Sequence, residues 1–349
     1  MNGASQLLTS LRSQGRICAA LGSPMYGELS ERIAADFAAG GIFAQVLTGH
    51  EDDPAGLAVP LRLLGGLHRL VLDGRAPALR RWYPSTGGNW SAEAAWPQIT
   101  AASADHISVL RAALNHPPQT NEVGRAAALI GGLLILQGQF GYPIALYEIG
   151  SSAGLNLRAD HYRYRFPGGA WGPAGSPVTV DDAWQGKTPP SAALHIVRRE
   201  GCDIAPLDAT TAEGELTLLS YVWPDMTARL DRLRGAIEIA RRVPVHVEQR
   251  AAAAAVTGLR LDKGTLTVLW HSVVRQYLSA DEQAAVDAGI DALAAAADAH
   301  SPFAHLTFEP QRRSHNGPIA FLLRVRSWPG GTDRVLAECG PHGPPVVWE

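Results

Sequence analysis

The sequence is short of lysine: of its 30 basic residues only Lys187 and Lys263 are lysines, and the rest are arginine. Against 33 acidic residues the formal net charge is -3, so no basic excess exists from which to build a broad nucleic-acid surface, and no nucleic-acid partner is expected. The arginine bias, with abundant Ala, Gly and Pro, reads as genome composition. Cysteine is scarce as well. Cys18, Cys202 and Cys339 are odd in number and far apart, which excludes a disulfide framework and gives no ligand spacing for zinc, so no metal is expected. Long apolar runs are missing: the longest, 126–136, is shorter than the about 20 residues needed to span a bilayer. Residues 1–16 lack the apolar core of a signal peptide, so a cytoplasmic protein with no membrane partner is the expectation.

What is present is a chain of 349 residues, 46% apolar and 18% charged. It can bury a large core without staples and is too apolar for disorder. At roughly 150 residues per domain, about two domains are expected. The pattern changes near residue 140. Before it, helical spacing covers 28–47, 57–72 and 92–114, and a further helix, capped by Thr120 or Asn121 with Glu122 in its first turn, runs to about Gln139. After it, apolar strand-like runs at 144–149, 194–199, 243–247 and 266–270 alternate with helices at 155–164, 212–222 and 225–242. A Gly-, Pro- and Trp-rich stretch, 166–193, reads as an irregular insertion. Ser279 and Glu282 form a capping box for a helix burying Val286, Ile290, Leu293 and Ala297. Strands at 303–308, 319–326 and 334–338 follow, with Pro329-Gly330-Gly331 turning the last two into a hairpin. The expected fold is α/β: an N-terminal helical domain over 1–140 on the substrate side, then a Rossmann-like, mostly parallel sheet over 141–349 with a C-terminal antiparallel hairpin.

The most informative segment is Tyr147-Glu148-Ile149-Gly150-Ser151-Ser152-Ala153-Gly154-Leu155-Asn156. Small residues where a buried strand turns into a helix let backbone approach a ligand, and the helix start offers unpaired N–H groups. A dinucleotide fingerprint needs glycine at 150, 152 and 155 and fails at Ser152 and Leu155. A methyltransferase turn needs glycine at 150, 152 and 154 after an acid two residues upstream. Glu148, Gly150 and Gly154 meet it, with Ser152 as one conservative departure. Gly150, Ser152 and Gly154 also match the Gly-x-Ser-x-Gly nucleophile elbow literally. An elbow strand is preceded by other strands, whereas here only helices precede it, although Asp203 and later histidines keep the order of a triad. Asp203 ends the second strand in Gly201-Cys202-Asp203-Ile204-Ala205-Pro206 and can accept both hydroxyls of a ribose.

Five segments carry a family resemblance: Tyr83-Pro84-Ser85-Thr86-Gly87-Gly88, Gln119-Thr120-Asn121-Glu122-Val123-Gly124-Arg125, Glu148 to Asn156, Val222-Trp223-Pro224-Asp225 and His271-Ser272-Val273-Val274-Arg275-Gln276-Tyr277. Through most of its length the chain resembles a bacterial family of uncharacterised proteins grouped with class I S-adenosylmethionine-dependent methyltransferase-like folds. The resemblance implies that fold and S-adenosylmethionine as cofactor, with no established reaction to carry over. In one place the chain departs: Gln249-Arg250-Ala251 stands where relatives have Gly-Asp-Ala after the third strand. The acid that would reach the adenine is therefore missing, though Gln249 can hydrogen-bond a base.

The expected cofactor residues are Glu148, Gly150, Ser152, Gly154, Asn156, Asp203 and Gln249. His271, ending the fourth strand, is the expected base for a small-molecule acceptor. Glu122 and Arg125, paired at i and i+3, are expected to cover the cofactor mouth, Arg125 facing a carboxylate and Glu122 an amine or hydroxyl. Trp223 and Asp225 are expected to line the same crevice, Trp82, Tyr83 and the 86–88 turn to fold over it or pack in the core, and Tyr277 to pack. The expected activity is methyl transfer from S-adenosylmethionine to that acceptor. Two alternatives stay open: a serine hydrolase using Ser152, and a ligand-binding or regulatory protein that has lost catalysis, for which Arg250 speaks.

Overall fold

The computed structural model describes residues 3–314 and 317–349. They divide into two compact units, Met1–Thr120 with Thr211–Asp231, and Asn121–Thr210 with Arg232–Glu349. The boundary expected near residue 140 thus lies inside the second unit.

Among its described residues the first unit holds helices and no strand. The helix expected over 28–47 is two helices, Pro24–Ala38 and Ile42–Val46, because Gly40 takes φ +74° and the Asp36 carboxylate receives the Phe43 amide at 2.8 Å to start the second. Helix 92–114 is likewise broken at His106. Leu11, Leu29, Ile33, Leu63, Leu67, Leu70 and Ile99 fill the core at the helical spacing that the sequence displays. The returning segment 211–231 completes this core. Trp223 enters it beside Tyr26, and Asp225 receives the Ser23 hydroxyl at 2.5 Å and the Met25 amide at 3.0 Å. Both residues therefore serve the packing of the first unit. Tyr83 is fully buried in the same core.

Among its described residues the second unit is built on twelve strands: β1 (Ile144–Ile149), β2 (Arg163–Phe166), β3 (Gly169–Trp171), β4 (Thr179–Val180), β5 (Trp184–Gly186), β6 (Ile196–Asp203), β7 (His246–Gln249), β8 (Leu266–Ser272), β9 (Phe303–Arg312), β10 (Ile319–Trp328), β11 (Thr332–Gly340) and β12 (Gly343–Trp348). Nine of them form one sheet in the order β5-β12-β11-β10-β9-β8-β1-β6-β7. The run β7-β6-β1-β8-β9 is parallel throughout, and β9 to β12 continue as an antiparallel meander. The sheet is therefore mixed and mostly parallel. The middle strand of the parallel run, β1, is buried at every position, as an apolar run in a two-sided sheet requires.

Three local readings change. The helix expected over 155–164 is a 3-10 helix, Asn156–His161, that gives way to β2, and the Tyr162 and Tyr164 hydroxyls take the Leu155 and Ala159 carbonyls. The 166–193 insertion is ordered: β2, β3 and β4 make a small sheet, and β5 pairs with β12. The last strand, β12, was hidden by Pro344 and Pro345, which suit a strand with few ladder donors.

Helix Ala126–Phe140 belongs to this unit because it is apolar on all sides and needs cover on all sides. Gly131 and Gly132 carry no side chain where Trp348 and Leu306 pack against it. Residues Val123–Phe140 are apolar and long enough to cross a membrane by composition alone, but 67% of the stretch is buried inside the protein.

Candidate functional site

The parallel strands read third, second, first, fourth, fifth across the sheet, so the order reverses between β1 and β8. Ligands of open α/β sheets bind outside the strand C-terminal ends at such a switch point. The backbone is unusual on both sides of it. After β1, Gly150, Ser152 and Gly154 have φ of +68°, +52° and +64°; after β8, Val273 has φ +55°. Positive φ in a serine and a β-branched valine is costly and gathers at binding sites. Nothing in the residue types announces the conformation of Val273, so sequence reasoning missed it.

The turn after β1 is fixed from several directions. The Ser152 amide donates to Asp203 Oδ2 at 2.8 Å, and the Ala205 amide to Oδ1 at 2.9 Å. The Ser151 hydroxyl and amide both donate to the Cys202 carbonyl. Asn121 does not cap the following helix as expected; its Oδ1 receives the Leu155 amide at 2.8 Å. The cap role passes to Glu122, whose Oε1 receives the Gly124 amide at 3.0 Å ahead of the short 3-10 turn Val123–Arg125. Arg158 Nη1 closes the far end on the Gly154 carbonyl at 2.9 Å. A side chain at 150 would strike Val274, and one at 154 would strike Val247, so both glycines are needed for space as well as for φ.

Glu148 lies beneath this turn, 2% exposed, with Oε1 receiving the Trp270 indole N–H at 3.1 Å. Burial pushes its carboxyl up to about 8, the Trp270 hydrogen bond opposes that, and the charge of Asp203 adds to it. Asn156 is buried too; its amide N–H donates to the Glu122 carbonyl at 3.4 Å. Arg125 donates toward the Ser272 and Pro341 carbonyls and lies over the Phe308 ring. Glu122, Arg125, Glu148, Asn156, Asp203 and the 150–154 turn thus come together at one end of β1. Gln249 sits at the exposed end of β7, its amide on the Ile204 carbonyl, and Arg250 is half-buried beside Glu248.

His271 is placed elsewhere. It neighbours Trp270 on β8, and successive strand residues face opposite sides of a sheet. Its ring is fully buried on the face away from Glu148, with Nδ1 2.7 Å from Glu309 Oε1. Tyr277, expected to pack, is 71% exposed. The Ser152 hydroxyl is buried and meets no partner among the described residues, so no histidine stands in a triad with it. No group of three or more His, Cys, Asp or Glu residues suited to a metal ion occurs among the described residues.

Residues 9–348 match a family model described as an uncharacterized protein conserved in bacteria (DUF2332). No curated protein and no solved structure matches the chain.

Proposed function

Since the chain belongs to this family of uncharacterised bacterial proteins, whose description states no reaction, we propose from its geometry that it is an S-adenosylmethionine-dependent methyltransferase of Rossmann-like, class I type acting on a small-molecule acceptor. One observation carries the reading. At the reversal of strand order, a tight turn of three positive-φ residues leaves β1 and is latched by an acid at the end of the neighbouring strand β6. That arrangement suits a nucleoside-bearing cofactor.

The residues present fit such a group. The Asn156 Oδ1 and Ser152 Oγ atoms are buried without a hydrogen-bond partner among the described residues. Asp203 already receives two amides, yet each carboxylate oxygen keeps a second lone pair with which to receive a ribose hydroxyl. Glu148 and Asn121 would set the depth of the turn. When bound, S-adenosylmethionine supplies an electrophilic methyl group; the protein's own part is to hold it at the switch point and keep water away. The elbow match favours a hydrolase less, because the Ser152 hydroxyl is enclosed and lacks a base.

Calorimetry of the purified protein with S-adenosylmethionine and with S-adenosylhomocysteine tests the reading. Binding of both is expected, weakened by Asn156→Ala. No heat with either ligand on folded protein overturns it, and binding without turnover across acceptor screens would assign the protein to the non-catalytic alternative.

A further inference from the structure

Between helix Ala280–Ala296 and the face formed by β8 to β11 lies a cavity of about 410 Å³ whose lining residues are all polar or charged. Its floor carries two histidines, with ring centres 5.1 Å apart. His271 is fully buried and His305 is 5% exposed, and neither Nε2 has a hydrogen-bond partner among the described residues. A buried polar atom left unpaired costs about 1–3 kcal/mol, so two side by side describe a place built for a guest.

The other ring nitrogens fix what each Nε2 offers. Arg326 Nη2 lies 3.2 Å from His305 Nδ1, and an arginine can only donate. His305 therefore accepts at Nδ1 and carries its hydrogen on Nε2. Burial, above all, holds its pKa well below the ordinary histidine value, so the ring is neutral. At His271 the relation is reversed: Glu309 Oε1 accepts from Nδ1–H at 2.7 Å, so in the neutral ring the lone pair is on Nε2. One ring thus presents a donor and its neighbour an acceptor, the pair of partners that a hydroxyl group satisfies at once.

Charge narrows the class. The cavity holds three arginines against four carboxylates, so with neutral imidazoles its sum is -1. Two of the arginines are already held in two-point pairs, Arg275 by Asp287 and Arg324 by Asp333. A phosphate would find little unspent positive charge, whereas a neutral or singly cationic polar molecule fits.

We propose that this cavity binds a small polyhydroxylated, non-anionic molecule, one hydroxyl of which donates to His271 Nε2 and accepts from His305 Nε2–H. Glu309 then orients the His271 ring so that Nε2 meets that hydroxyl. The binding claim is independent of the methyl-transfer reading, because the cavity lies on the face of the sheet away from Glu148. The two sites share a loop, since Val274 packs its side chain against Gly150 and gives its amide to Glu309 at 3.0 Å.

Histidine-selective nitrogen NMR on the full-length protein tests it, with His271→Gln and His305→Gln assigning the signals. Without ligand, His271 should be protonated at Nδ1 and His305 at Nε2. Millimolar methyl glucoside or glucosamine should shift both Nε2 signals, and glucose 6-phosphate should not. Reversed tautomers overturn the proposal directly, with or without variants that fold. Absence of any shift with both sugars, which would leave only water in the cavity, overturns it as well, and so does a response confined to the phosphate. None of these readouts depends on S-adenosylmethionine, so failure here is distinct from failure of the cofactor reading.

Discussion

The Asp203 carboxylate receives the Ser152 amide at 2.8 Å, and through that bond the end of β6 determines the shape of the turn that leaves β1. The same carboxylate also receives the Ala205 amide. Asp203→Ala strips both amides of their acceptor and should cost about 2–4 kcal/mol, by the magnitude of hydrogen bonds to charged groups. Asp203→Asn keeps one acceptor oxygen and should lose roughly half as much. Urea midpoints at unchanged slope measure both; equal stability of wild type and Asp203→Ala would show that the latch does not hold the turn.

Ser152 and Gly150 should respond to substitution in opposite directions. Ser152→Gly removes a side chain from a positive-φ position and should stabilise the protein by about 1 kcal/mol. Gly150→Ala adds a Cβ both where φ is +68° and where Val274 already stands, and should destabilise by about 2 kcal/mol or more. Thermal unfolding of the two variants separates these effects. A fluorophosphonate should label neither wild type nor Ser152→Ala, because Ser152 has no base.

Glu148 gives stability a pH dependence of definite sign. Its carboxyl is raised from the ordinary 4.5 to about 8 in the folded protein, so the folded state prefers the protonated form. The contribution is full below about pH 4.5, shrinks as the pH rises, and is lost once it passes about 8. Glu148→Gln, which cannot ionise, should match wild type near pH 5 and exceed its stability at pH 9 by up to several kcal/mol, at about 1.4 kcal/mol per pH unit. Denaturation curves across that range would refute the assignment if the two proteins kept a constant difference.

Strong periodicity made the elements legible and weak periodicity hid them. Helix 59–72, the β1 run and the helix carrying Val286, Ile290 and Leu293 stand in the structure close to where their spacing puts them. The capping box was half right: Ser279 receives the Glu282 amide, but Glu282 turns away to receive the Ala253 amide at the start of another helix. That choice depends on a neighbour 29 residues distant, which local spacing cannot reveal. The same holds at the candidate site. The 150–154 turn was visible in its glycines, and Asp203 in its place after a strand. The separation of His271 from Glu122 and Arg125 follows from the pleat of β8, whose phase only the paired sheet fixes. Glu309 and His305 escaped notice because the strand expected over 303–308 runs on to Arg312, and alternating polar residues along a strand are also the pattern of a solvated face.

The excursion of residues 211–231 into the first unit has a consequence for synthesis. A ribosome making this chain releases the helices up to Leu114 well before Trp223 and Asp225, the partners that fill their core and receive Ser23 and Met25. In the interval the nascent first unit carries an open apolar seam while β1 and β6 emerge. Completion of the first unit is thus deferred until residues 211–231 have been made. A fragment cut at residue 120 should remain loosely packed, whereas one that retains 211–231 has the means to close.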